Sequence, residues 1–333
     1  MSGTTNKCGS VDKYCPAGSS APTDVSEGYY SGPEDADVDV RSESTICPIG
    51  YYCTGGVKRP CPAGSYGTSE GLSSSTCTAS CEAGYYCPGG DEKLECGSIT
   101  KYCPAGSSAP SDVPEGYYSG PESAEETKRY QKVICPAGSY CSGGEKTLCP
   151  AGHFGETTGL STADCSGSCP AGYYCPEGSV SGTTNKCGSV DKYCPAGSSA
   201  PSSVSEGYYS GPEDADVDVR SESTICPIGY YCTGGVKRPC PAGSYGTSEG
   251  LSSSTCTASC EAGYYCPGGD EKLECGSVEK YCPAGSSAPS DVPDGYCSGP
   301  LTSPFITRFF IFLPDSRHTC IGGLYADELF VQL

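Results

Sequence analysis

The sequence predicts a small disulfide-rich fold: an elongated tandem array of cysteine-rich modules with short β-hairpins and turns and little helix. Three observations predict it: 28 cysteines in 333 residues, only 42 residues of Leu, Ile, Val and Phe together, and a long internal duplication. So few aliphatic and phenyl side chains cannot fill the cores of two globular domains, which the length would otherwise allow. With a formal net charge of −20, such a composition belongs to disorder unless covalent cross-links replace the core. Cysteine at this density supplies them. Glycine and proline, 47 and 28 residues, favour turns over long helices or strands.

Cysteine usage also predicts the compartment. A reducing cytosol would keep these thiols free, and free thiols could not stand in for a core, so the setting is extracellular or at the cell surface. Zinc ligation would show paired Cys-x-x-Cys ligands, and none occurs; the closest pairs, such as Cys77 and Cys81, are separated by three residues. No metal site and no cofactor are expected. No signal peptide is visible. Met1 falls opposite Val180 in the internal alignment, so the chain is expected to start inside a linker between repeats, with the true amino terminus missing. No stretch is long and apolar enough to span a bilayer.

The duplication matches Ser2–Pro121 with Ser181–Pro300 and differs at only six of 120 positions. Inside it lies a shorter period, because Cys8, Cys15, Cys47, Cys53, Cys61, Cys77, Cys81 and Cys87 recur as Cys96, Cys103, Cys135, Cys141, Cys149, Cys165, Cys169 and Cys175. The expected organisation is therefore a truncated linker at 1–7, cysteine-rich repeats at 8–95, 96–186 and 187–274, a partial repeat at 275–300, and an unrelated tail at 301–333. Even numbers per full repeat predict that the repeat cysteines are all paired. Cys297, which stands where Tyr118 stands, and Cys320 in the tail are the expected leftovers.

A shorter word, Cys-x-x-Gly, recurs throughout, most often as Cys-Pro-Ala-Gly at 15–18, 61–64, 103–106 and 149–152. Proline suits the second position of a tight turn and glycine the fourth, so the word is expected to bend the chain just after the cysteine. Gly-Tyr-Tyr follows in several copies, as at Gly50-Tyr51-Tyr52 and Gly84-Tyr85-Tyr86, and predicts strands of two to four residues.

These words resemble the ephrin-receptor-like cysteine-rich repeats, extracellular modules related in style to the growth-factor-receptor and tumour-necrosis-factor-receptor cysteine-rich regions. The matching text is Cys61-Pro-Ala-Gly-Ser-Tyr-Gly-Thr-Ser-Glu-Gly-Leu-Ser-Ser-Ser-Thr-Cys77, then Cys81-Glu-Ala-Gly-Tyr-Tyr-Cys87-Pro-Gly-Gly, and the parallel run from Cys149 through Cys175-Pro-Glu-Gly. The long Cys15 to Cys47 interval departs from the family spacing. The resemblance implies a chain of small disulfide-linked modules and carries over no catalytic residues. In its family-like runs it favours closure of Cys61 on Cys77, Cys149 on Cys165 and Cys240 on Cys256, while the other pairings stay open because eight cysteines allow 105 connectivities.

No catalytic residue is expected. The only histidines are His153 and His318, neither repeats, and His153 replaces Ser65 of the first repeat in an otherwise matching turn. Alternating carboxylates at Asp35, Asp37 and Asp39, repeated at Asp214, Asp216 and Asp218, would point to one side of an extended segment. A calcium loop, however, wants glycine where Val40 stands and a bidentate glutamate where Ile46 stands. Net charge argues against nucleic acid, since basic residues do not cluster beyond pairs such as Lys58-Arg59. No Asn-x-Ser/Thr sequon occurs, and O-linked sugars on the many Ser and Thr are a compositional expectation.

Tyrosine, at 26 residues with no tryptophan, is the candidate for recognition, against the plainer reading that its rings cover disulfides and prolines. Tyr29 and Tyr30, with Tyr117, Tyr118, Tyr208 and Tyr209, lie in the long interval away from the cysteine-dense run and are the expected interaction residues. Their partner would be an unidentified protein or glycan, multivalent because the duplication presents each patch twice. Phe305-Ile-Thr-Arg-Phe-Phe-Ile-Phe-Leu313 breaks the repeat, is too short to cross a membrane, and is expected to be a gene-model artefact with a docking segment as the other reading. The leading function is a non-enzymatic structural spacer and adhesive module. A fragment of a receptor ectodomain and a non-catalytic region of a larger secreted enzyme are the alternatives.

Overall fold

The computed structural model describes residues 7–277 and 279–293. Met1, Cys297, His318, Cys320 and the tail 301–333 lie outside them, with the expectations attached to those residues. The chain divides into two compact units, Met1–Gly167 with Glu177–Ser181, and Ser168–Pro176 with Gly182–Leu333. In each, regular structure is a succession of two-stranded sheets and short 3-10 turns, with no α-helix among the described residues.

The Gly-Tyr-Tyr words open strands except at Gly172, where Tyr173 makes only an isolated bridge with Lys186. Tyr51–Thr54 pairs antiparallel with Val57–Pro60, so that Tyr51 faces Pro60 and Thr54 faces Val57. The two-residue connection, Gly55-Gly56, has φ of 57° and 74°, as a type I′ hairpin turn requires. Two strands exceed the expected length: Tyr85–Gly89 and its duplicate Tyr264–Gly268 have five residues, with a register shift where they pair with Glu92–Glu95 and Glu271–Glu274. A bulge there adds the extra residue.

The Cys-Pro-Ala-Gly turn sits one residue further along than the sequence suggests. The Ser65 N–H donates to the Pro62 carbonyl at 3.0 Å, so Pro62 is first and Gly64, with φ of 89°, is third. With Ala63 outside the positive-φ region, this is the type II arrangement. The reason lies in competition for hydrogen bonds. The Cys61 carbonyl that would close the expected turn accepts instead from the Gly90 N–H, and the Gly64 N–H donates to Cys87.

The acidic run also differs from expectation. Val38–Val40 is a 3-10 turn, not an extended segment, so Asp37 and Asp39 do not alternate along a strand. Asp39 accepts from Lys7 at 2.9 Å.

Thirteen disulfides join every described cysteine to its sequence neighbour. In the first repeat these are Cys8–Cys15, Cys47–Cys53, Cys61–Cys77 and Cys81–Cys87, and the same order recurs to Cys275–Cys282. Cys61–Cys77, Cys149–Cys165 and Cys240–Cys256 each close a loop of sequence separation 16 with Cα atoms 6.0 Å apart. By loop-closure entropy each such bond contributes about 3 kcal/mol, and each of the shorter loops about 2.3 kcal/mol. Among the described residues the buried apolar side chains are all cysteines. Cystine is the core of this protein.

Because these bonds are all local, something else must hold one loop to the next. Backbone hydrogen bonds do so through glycine. In the first unit the Gly28 N–H donates to the Cys53 carbonyl and its carbonyl accepts from Cys47; Gly64 does the same with Cys87 and Cys81, and Gly84 with Cys103 and Cys96. In the second unit Gly207 bridges Cys232 and Cys226, and Gly263 bridges Cys282 and Cys275. Each glycine thus stitches one turn to the disulfide loop that follows, and buried amides and carbonyls are satisfied without a sheet.

Candidate interaction surface

The Cys15 to Cys47 interval contains no disulfide of its own, since Cys15 pairs with Cys8 and Cys47 with Cys53. One hairpin straddles its start, Lys13–Tyr14 with Thr23–Asp24, and a second lies inside it, Tyr29–Gly32 with Glu43–Ile46. Arg41 clasps them together. Its carbonyl accepts from the Cys15 N–H at 2.9 Å, and its Nη1 donates to the Ser31 carbonyl at 2.7 Å. Ser31, fully buried, donates from Oγ to the Val11 carbonyl at 2.6 Å and from its N–H to Gly56 at 3.1 Å.

The arrangement recurs in the next repeat of the same unit, where Arg129 Nη1 reaches the Ser119 carbonyl at 2.7 Å. In the second unit Arg220 donates from Nη1 to Ser210 at 3.0 Å and from Nη2 to the Glu213 carbonyl at 3.1 Å. The Nε atoms of all three arginines are buried without a hydrogen-bond partner. Sequence reasoning missed these residues. Their signal is the recurrence of an arginine and a serine at matching positions of every long interval.

A lysine lies over each clasp. Lys58 Nζ stands 4.9 Å from the Tyr30 ring centroid and 5.2 Å from that of Tyr51, and it pairs with Glu34. Lys146 stands 5.1 Å from Tyr118 and 2.8 Å from Glu122; Lys237 stands 4.9 Å from Tyr209 and pairs with Glu213. The hydrogen bond that each lysine donates to its glutamate is the main reason that Lys58, Lys146 and Lys237 are held above the ordinary lysine pKa, against an opposing effect of burial. Small clefts run beside Tyr118 and Tyr209. That of the second repeat, about 170 Å³, is lined by Tyr118, Ser119, Glu122, Arg129 and Lys146, and that of the second unit, about 120 Å³, by Tyr209, Ser210, Glu213, Arg220 and Lys237. Neither approaches the roughly 300 Å³ at which small-molecule sites begin.

The six tyrosines named from the sequence therefore occupy two environments. Tyr30, Tyr118 and Tyr209 are half-buried under lysines, and Tyr117 is half-buried with Lys132 5.6 Å from its ring. Tyr29 and Tyr208 are exposed, each at 37%, and each faces an exposed isoleucine across its hairpin: Tyr29 opposite Ile46, Tyr208 opposite Ile225. Tyr51 and Tyr230, not singled out by the sequence, are equally exposed. His153 is half-buried in the two-residue strand His153–Phe154, and its Nδ1 is buried without a partner. Among the described residues no group of three or more His, Cys, Asp or Glu is placed to hold a metal ion, and no helix is long and apolar enough to cross a membrane.

The described cysteines, all committed to disulfides, point to an extracellular type of cysteine-rich protein. No protein-family model matches the chain, and no curated protein matches it.

Proposed function

We propose that the chain is a non-enzymatic spacer and adhesive module of the extracellular space, built in the manner of the ephrin-receptor-like repeats that its Cys61–Cys77 and Cys81–Cys87 runs resemble. One observation carries the reading: the duplication displays the same exposed pair, Tyr29 with Ile46 and Tyr208 with Ile225, once in each compact unit. A rigid aromatic ring with a polar tip, beside an exposed aliphatic side chain, makes contacts at low entropic cost. Two weak copies on one chain gain avidity against a partner that is itself multivalent, by about 10²- to 10⁴-fold when both engage. A matrix polymer or a cell surface is such a partner.

The test replaces Tyr29, Tyr30, Tyr117, Tyr118, Tyr208 and Tyr209 with Ser in the full chain and measures binding to matrix laid down by the cells that make the protein. Binding should fall while the disulfide map stays unchanged. A parallel variant altered only at Tyr29 and Tyr30 should keep single-site binding and lose avidity. Undiminished binding by the six-site variant, or failure of that variant to oxidise correctly, overturns the tyrosine surface.

A further inference from the structure

We propose that Tyr29, Tyr51, Tyr208 and Tyr230 are sites of oxidative cross-linking, through which separate copies of the chain join covalently by dityrosine bonds. The inference is independent of the adhesive reading and rests on what an oxidant would meet at this surface. The side chains that ordinarily compete for oxidising equivalents are missing or spent. Tryptophan is absent, Met1 is the one methionine, and every described cysteine is already in a disulfide. Phenol is the remaining oxidisable group.

Exposure then selects among the tyrosines. Only these four of the described tyrosines are exposed, each at 37%; the others are half-buried. They form two identical pairs by duplication, Tyr29 with Tyr51 and Tyr208 with Tyr230. The second repeat offers no equivalent, since Tyr117 is half-buried and Ser139 stands where Tyr51 stands. A chain with two separated pairs of reactive groups can be linked at both units, so its product is an extended polymer and not a dimer.

The chemistry needs a peroxide and a haem peroxidase as co-reactants. Each phenol gives up one electron and one proton, leaving a tyrosyl radical. Two radicals on different chains join through their Cε carbons, and the ring hydrogens displaced from carbon return the phenol oxygens to O–H. One C–C bond forms, two hydrogen atoms leave, and the O–O bond of one hydrogen peroxide breaks to give two waters. Tyrosine is oxidised and peroxide is reduced.

The experiment treats the purified, fully oxidised chain with a haem peroxidase and hydrogen peroxide. It then reads dityrosine fluorescence, the ladder of covalent species that survives denaturation and thiol reduction, and the cross-linked peptides by mass spectrometry. The native chain should give a ladder extending past dimer, with cross-links mapping to the four exposed positions. A Tyr29→Phe, Tyr51→Phe, Tyr208→Phe, Tyr230→Phe chain should keep its disulfides, since each ring is preserved, and lose the ladder. Restoring Tyr29 alone, which leaves one reactive phenol per chain, should return dimers without the longer species. The proposal is overturned by a ladder that persists in the four-site variant, by cross-links mapping to half-buried rings such as Tyr118 or to Tyr296 or Tyr325, or by a native chain that stops at monomer. Adhesion measured without peroxidase is a separate readout, so loss of one reading leaves the other standing.

Discussion

Arg220, a residue only 8% exposed, donates from its guanidinium to the Ser210 carbonyl oxygen 3.0 Å away, and among the described residues no carboxylate forms an ion pair with it. A buried charge is thus held by backbone carbonyls alone, in the one long interval of each repeat that no disulfide closes. Where cystine is the core, this arginine does locally what a cross-link does elsewhere.

Removing that clasp should loosen the long interval and leave the cysteine-dense run intact. Arg220→Ala should cost about 2 kcal/mol locally, the loss expected for hydrogen bonds from a charged donor to buried acceptors. Hydrogen exchange at the Ser210 amide, which donates to Gly235, and at the Cys194 amide, which donates to the Arg220 carbonyl, should speed up by about 30-fold. The Gly243 amide, bonded to Cys266, should not change. Equal protection in native and variant chains would show that the arginine holds nothing.

The paired glycines of the Gly234-Gly235 turn should respond very differently to one methyl group. Both have positive φ, 57° and 76°, so either substitution with Ala carries left-handed strain of about 1–2 kcal/mol. A Cβ on Gly234 meets nothing within 4 Å, whereas one on Gly235 would lie 2.0 Å from the Val190 carbonyl oxygen. Gly235→Ala must therefore push the Lys192–Tyr193 hairpin off the clasp, and Gly234→Ala must not. Chemical denaturation of the two variants, with disulfides intact, should rank Gly235→Ala as clearly the weaker.

Alkali should loosen the lysine stacks before acid does. Lys58, Lys146 and Lys237 have folded pKa values raised above the ordinary 10.5, chiefly by hydrogen bonds with Glu34, Glu122 and Glu213. Because the folded value is the higher, the stabilisation is fully present below 10.5 and is lost as pH rises through the raised value. On the acid side Asp218, lowered from 3.8 chiefly by its hydrogen bond from Lys186, keeps its contribution above that value and loses it as pH falls through the lowered one. These are surface pairs screened by solvent, so the effect is a slope and not a transition. Chemical shifts of Tyr30 and Tyr209 followed through pH 9–12, under conditions that block thiol exchange, should move as the lysines discharge.

Much of this architecture was legible in the sequence because the cysteines and the duplication do not depend on tertiary context. Cys61, Cys77 and their counterparts mark the same loops wherever they stand, and Gly50-Tyr51-Tyr52 opens a strand by local propensity. Legibility ended where non-local hydrogen bonds decide. The Pro62–Ser65 turn is displaced by one residue because Gly64 is claimed by Cys87, a residue from another loop. Val38–Val40 coils into a 3-10 turn because the backbone there must deliver Asp39 and Arg41 carbonyls to Cys8 and Cys15. Among the six tyrosines named from the sequence the division followed the lysines, Lys58 covering Tyr30 and leaving Tyr29 open, and no local pattern encodes that choice.

The central claim is that the protein is a series of loops, each closed by consecutive cysteines, with no disulfide joining one loop to the next among the described residues. Proteolysis of the unreduced chain followed by mass spectrometry tests it directly. The claim requires the Cys8–Cys15, Cys47–Cys53, Cys61–Cys77 and Cys81–Cys87 linkages, with their equivalents through Cys275–Cys282. A linkage that crosses between loops, such as Cys15 with Cys47, or a substantial population of free thiols among Cys8 to Cys282 in material from an oxidising compartment, would contradict it.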